Sequence, residues 1–199
     1  MNESNHDHHD GRSDFDFLVG HWVVHHRRLK ERLAGCAEWD VFDGTCTMRP
    51  ILDGQANVDD NVLALPSGPY RASSIRAYDP ATRRWSIWWL DSRHPHDLGT
   101  PVVGAFADGT GTFFADDTLD GKPIRVRFLW TDITATKARW QQAFSADGGA
   151  TWETNWIMDF ELSDDPSRRS AHTCPAQDTS NIAADPQSRC ASRTARAGD

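Results

Sequence analysis

From Val19 onward the chain alternates apolar and polar residues in short stretches, each closed by a turn signal. The period of two predicts pleated strands rather than helices. It predicts them over Val19–Lys30, Ala37–Met48, Gly54–Leu65, Arg71–Tyr78, Trp85–Leu90, Val102–Ala107, Thr112–Thr118, Ile124–Thr131, Lys137–Ser145 and Thr151–Leu162. The connections carry turn chemistry. Pro66-Ser-Gly-Pro69 ends the third strand, and Asp79-Pro-Ala-Thr82 places a φ-fixing proline at a turn's second position. Asp108-Gly-Thr-Gly111, Asp120-Gly121 and Ser145-Ala-Asp-Gly-Gly-Ala150 supply residues that tolerate positive φ. Asp14-Phe-Asp-Phe-Leu18 reads as a short helical turn or a plug leading into the first strand. About ten strands joined by consecutive hairpins, with no long crossover, predict an all-β fold: an antiparallel up-and-down barrel, whose closure leaves no exposed sheet edge.

The aromatic residues mark the folded body. All nine Trp, nine Phe and two Tyr lie between Phe15 and Phe160. Residues 1–13, rich in Asn, His and Asp, and residues 163–199, rich in Ser, Ala, Arg, Asp, Pro and Thr, offer little to bury. The expected organisation is a flexible segment over 1–13, one barrel domain over 14–162 and a disordered tail over 163–199.

Net charge is −8, and the arginines are scattered rather than clustered, so neither nucleic acid nor an anionic membrane is an expected partner. Four cysteines make no disulfide framework. Cys36 and Cys46, read as lying on one extended strand, would sit about 30 Å apart. All four are expected as reduced thiols in a cytoplasmic protein, because no apolar leader or membrane-length run is present.

Several separated motifs resemble a known group. Gly20-His-Trp22 resembles the Gly-x-Trp opening of calycins, the lipocalin and fatty-acid-binding-protein superfamily. The stretches Tyr78-Asp-Pro-Ala-Thr-Arg-Arg-Trp-Ser-Ile-Trp-Trp-Leu-Asp91 and Gly104-Ala-Phe-Ala-Asp-Gly-Thr-Gly-Thr-Phe113, with the closing hairpin, resemble the DUF1579-type, lipocalin-like proteins of bacteria. The resemblance implies a calycin barrel and no settled activity. Val23, Val24 and His25 break the Gly-x-Trp-x-Gly-x-Gly opening of the neighbouring nitrobindin-like haem binders, so haem is not expected, nor is any other cofactor.

If Trp22 faces inward, as the resemblance implies, then Val24, His26 and Arg28 share its face while His21 and His25 point out. The same alternation puts Trp85, Ile87, Trp89 and Asp91 on one inner stripe. Trp140, Gln142 and Phe144 form a second, and Trp152, Thr154, Trp156, Met158 and Phe160 a third. Asp59 and Asp60 fall on opposite faces, so they are no catalytic pair; a buried ion pair with Arg76 or Arg127 is the structural role open to one of them. His6-Asp-His-His-Asp10 has donors that suit a divalent metal but, in a flexible segment, no second shell to fix their geometry. His94-Pro-His96-Asp97, a loop near the barrel mouth, lacks the spacing of a standard zinc site, and no metal is expected.

The expected function is binding of a small apolar or aromatic molecule inside the barrel. Trp22, Trp89, Trp140, Trp156 and Met158 would supply contact surface, and His26, Asp91 and Gln142 would orient polar atoms. The first alternative is an isomerase, cyclase or hydrolase using His26 or Asp91 as general acid or base. The second is a protein-interaction module acting through the outer face or the tail. The pattern is also compatible with a homodimer.

Overall fold

The structure, a computed structural model, describes residues 10–163. Ten strands follow one another: β1 (Gly20–Leu29), β2 (Trp39–Ile51), β3 (Ala56–Leu63), β4 (Tyr70–Asp79), β5 (Arg84–Asp91), β6 (Val102–Ala107), β7 (Thr110–Leu119), β8 (Lys122–Thr131), β9 (Lys137–Ser145) and β10 (Glu153–Leu162). Each pairs antiparallel with its chain neighbours, and β1 also pairs with β10, so the meander is a closed barrel. At the seam, Trp22 lies opposite Cys46 and Leu162, and His26 opposite Phe42 and Met158.

The turns form for the reasons their residues supply. Asp108-Gly109 and Asp120-Gly121 hold positive φ at both positions, the conformation of a tight hairpin whose twist matches its strands. Between β9 and β10, Gly148 and Gly149 take positive φ while the Asp147 carboxylate collects the backbone N–H and hydroxyl of Thr151 and the hydroxyl of Ser145. Those donors, chiefly Thr151, hold the Asp147 carboxyl well below the usual range.

The two ends of the barrel differ. At one end the chain before β1 folds inward as a 3₁₀ turn over Asp16–Leu18 and plugs the opening. Phe15 meets Trp85 and Phe106 edge-on at 5.1 and 5.0 Å, and Trp130 at 6.0 Å. Two indoles tie the plug down: Trp22 Nε1 donates to the Leu18 carbonyl at 2.8 Å, and Trp85 Nε1 to the Gly11 carbonyl at 3.0 Å. The packed body therefore takes in Gly11. The opposite end carries the loops 30–38, 64–69 and 92–101, and among the described residues it has no such plug.

Two sequence readings need correcting. Cys36 lies in the connection between β1 and β2, not on a strand with Cys46; both are free thiols, and Cys46 is buried. Trp152 and Thr154 are off the inner face, because the pairing of β10 with β9 shifts between Thr154 and Trp156. The extra residue, Asn155, reverses the alternation behind it. Glu153 is thereby paired with Phe144, while Trp152 packs on Phe114 and under Arg127 outside the barrel. His6 and the tail lie outside the described residues.

Truncating Phe15 to Ala removes the centre of the plug and leaves a void among rings that cannot collapse onto it. A loss of about 3–5 kcal/mol is expected, read as a lower urea midpoint with the denaturant slope unchanged.

Candidate functional site

The unplugged end opens into an interior cavity of about 450 Å³. Its walls come from successive strands because every second residue points inward. Strand β5 contributes Ile87, Trp89 and Asp91; β8 contributes Val126 and Phe128; β9 contributes Trp140, Gln142 and Phe144; β10 contributes Trp156. Residues 94–100 of the loop after β5 form the lip, with His94, Asp97 and Leu98 facing the cavity. The aromatic walls brace one another edge to face. Trp156 stands 5.7 Å from Trp140 and 5.8 Å from Trp89, and Phe128 lies 4.8 Å from Trp140. Such contacts fix ring orientation as well as adding stability.

Two polar groups in the wall are already oriented. Gln142 Nε2 donates to Asn155 Oδ1 at 2.9 Å, so the bulge positions it. Asp91 accepts from the Arg93 backbone N–H and from its Nε at 2.9 Å, and pairs with Nη2. These bonds, led by the guanidinium, hold the Asp91 carboxyl below its ordinary value. Arg93 in turn lies over Tyr70 at 4.0 Å, and Arg28 over Trp156 at 4.7 Å. Arg32 has its pKa lowered first by burial and then by Arg28.

Below the cavity, and sharing Ile87, Trp89, Phe128 and Trp140 with it, is a second void of about 20 Å³ reached by Asp59, Asn61, Ser74, Arg76, Trp130 and Met158. Arg76 pairs with Asp59 at 2.5 Å and donates to Asn57 at 3.0 Å. The other Asp59 oxygen accepts from Asn61 Nδ2 and from the Ser74 backbone N–H, each at 2.6 Å. Asp59 and Arg76 are 2 % and 4 % exposed, so this is a fully internal ion pair. Asp60, on the opposite face, pairs with Arg71 outside.

The predicted residues thus divide. Trp89, Asp91, Trp140, Gln142 and Trp156 come together around the main cavity, and Met158 sits at the smaller void. Trp22 does not line either space; it is sealed between the plug and Phe160. His26 does not reach the cavity either. It is stacked on Phe42 at 4.6 Å, accepts from Trp156 Nε1 at 3.2 Å through Nδ1, and has its Nε2 against Gly44, where an added Cβ would come within 2.8 Å. The pairing of His26 with Asp91 is corrected: Asp91 is held at the rim by Arg93. The His94–Asp97 loop, expected near the barrel mouth, does contribute His94 and Asp97 to the lip, whereas Phe128 and Leu98 were not anticipated. The alternation Val126, Phe128, Trp130 carries the signal for Phe128, whereas the lip has no periodic pattern. Among the described residues no cluster of three metal-ligating side chains is assembled.

No family model matches the chain, and no curated protein does. Solved structures do match. The S-type phycobiliprotein lyase CPES from Guillardia theta is 12 % identical, with a TM-score of 0.52, covering 80 % of this chain and 98 % of that one. A de novo designed fluorescence-activating β-barrel is 11 % identical, with a TM-score of 0.41 over 74 % of this chain and 95 % of the design. The first likeness shows a shared β-barrel fold and nothing finer. The second is too slight to argue from, and the DUF1579-type resemblance rests on its motifs alone.

Burial pushes the His26 imidazole down to about 4 from its ordinary 6.5. The group is neutral in both folded and unfolded chains above about pH 6.5 and contributes no pH dependence there. Between pH 6.5 and 4 the unfolded chain binds a proton that the folded one excludes, so stability falls by about 3 kcal/mol in total. Urea unfolding of the wild type and of His26→Gln across that range isolates the effect: the variant lacks this part of the slope.

Proposed function

We propose that the protein binds a small, flat, largely apolar molecule in the barrel. The observation that carries this reading is the open cavity of about 450 Å³ walled by Trp89, Phe128, Trp140, Phe144 and Trp156. Aromatic walls in an enclosed space supply area for a conjugated or ring-bearing ligand at little cost in side-chain entropy, since the rings already fix one another. Gln142 in the wall, with His94 and Thr100 on the lip, gives such a ligand polar points of attachment near the mouth. Binding is better supported than proton-transfer chemistry. Asp91 is engaged by Arg93, and His26 stands behind Trp156 with both ring nitrogens occupied or enclosed.

An environment-sensitive aromatic dye is the natural first probe, because it matches the aromatic walls. Titrated anilinonaphthalene sulfonate is expected to brighten on binding and to quench tryptophan emission with one saturating site. Trp89→Ala removes a wall residue shared by both voids and is expected to weaken binding on the order of ten-fold. A probe that stays dark at saturating protein, or binds Trp89→Ala as tightly as wild type, contradicts the assignment of the cavity.

A further inference from the structure

Two buried hydrogen-bond donors next to the smaller void have no acceptor among the described residues: Arg76 Nε and Trp130 Nε1. Both residues line that void, and they are 4 % and 2 % exposed. Both also flank the plug, with the Arg76 guanidinium 5.1 Å from the Phe15 ring centre and the Trp130 ring 6.0 Å from it. A buried donor without an acceptor is a standing cost, and native interiors rarely keep two on the wall of one small void without a purpose. The remaining polar atoms of the network do not relieve them. Asp59 already accepts from Arg76, Asn61 and Ser74, and Asn57 Oδ1 is taken by Arg76 Nη1.

We infer that this niche is the inner terminus of the ligand site and takes one neutral acceptor oxygen, such as a ketone, lactam or ester carbonyl, at the end of a ring system lying in the cavity above. The inference rests on the binding reading and deepens it. Its size follows from the void, about 20 Å³, room for a single oxygen-sized group. Its neutrality follows from charge: the Arg76 cation is already balanced by Asp59 at 2.5 Å, so a carboxylate here would be a second buried anion against one cation. Its position follows from the shared walls, since Ile87, Trp89, Phe128 and Trp140 border both spaces and a ring between them places its substituent below.

Fluorene and fluorenone form a matched pair differing only in a CH₂ against a C=O, and tryptophan quenching reads the affinity of each. Fluorenone is expected to bind the wild type about ten-fold more tightly, although it is the more water-soluble of the two. In Trp130→Phe that ratio is expected to fall toward unity, while fluorene carboxylate shows no comparable sensitivity. The wild-type comparison needs no variant, so a poorly folded Trp130→Phe does not decide the matter. Fluorene binding as well as or better than fluorenone overturns the niche while leaving the binding reading intact. A carboxylate as sensitive to Trp130→Phe as the ketone overturns its neutrality. Failure of both ring systems to bind overturns the niche together with the reading beneath it.

Discussion

Everything distinctive about this molecule depends on β1 being hydrogen-bonded on both sides. Its pairing with β2 is a local hairpin, but its pairing with β10 joins residues more than a hundred positions apart and turns a meander into a ring. Once the ring closes, there is an inside, and the period-two pattern of each strand becomes an assignment of residues to it. Ten strands enclose more space than their inward side chains fill. The surplus is disposed asymmetrically: aromatic rings from the N-terminal segment fill one end, and the other stays open. Cavity and plug are therefore consequences of one closure.

That closure also explains how an ion pair survives at the centre of an aromatic barrel. Arg76 and Asp59 would cost several kcal/mol to strip of water, and their mutual attraction repays this only if the other lone pairs and protons are met. Asn57, Asn61 and the Ser74 backbone meet nearly all of them. Apolar residues of similar volume would fill the same space at comparable stability, so packing alone does not account for the network. It gives the floor of an otherwise apolar cavity a fixed polar direction.

Much of this was legible in the chain. Strong alternation and glycine-bearing turns carried the ten strands, and the opposition of Asp59 and Asp60 followed from the pleat alone. The failures have physical causes. Asn155 gives no sign of being a bulge, since neither glycine nor proline marks it, and one unpaired residue sufficed to move Trp152 and Thr154 outside. His26 and Asp91 share an inward face, but that fixes neither height nor separation. His26 lies mid-strand opposite Phe42, while Asp91 closes β5 at the rim, and β2, β3 and β4 stand between their strands. Distances across a barrel depend on the shear between strands, which no periodicity records.

His26 then acquires a different meaning from the one its chemistry first invites. Its buried, neutral imidazole offers Nδ1 to the indole N–H of Trp156, and Trp156 is the ring against which Trp89 and Trp140 are both set edge-on. A histidine that carried its charge would have no lone pair for that indole, so the neutrality that burial imposes on the imidazole is what lets it hold the cavity wall. Gly44 belongs to this arrangement: its missing side chain is what lets the imidazole lie flat on Phe42 beneath the wall. The residue most suggestive of catalysis thus supports the ring geometry of the site from behind, one layer removed from anything the cavity holds.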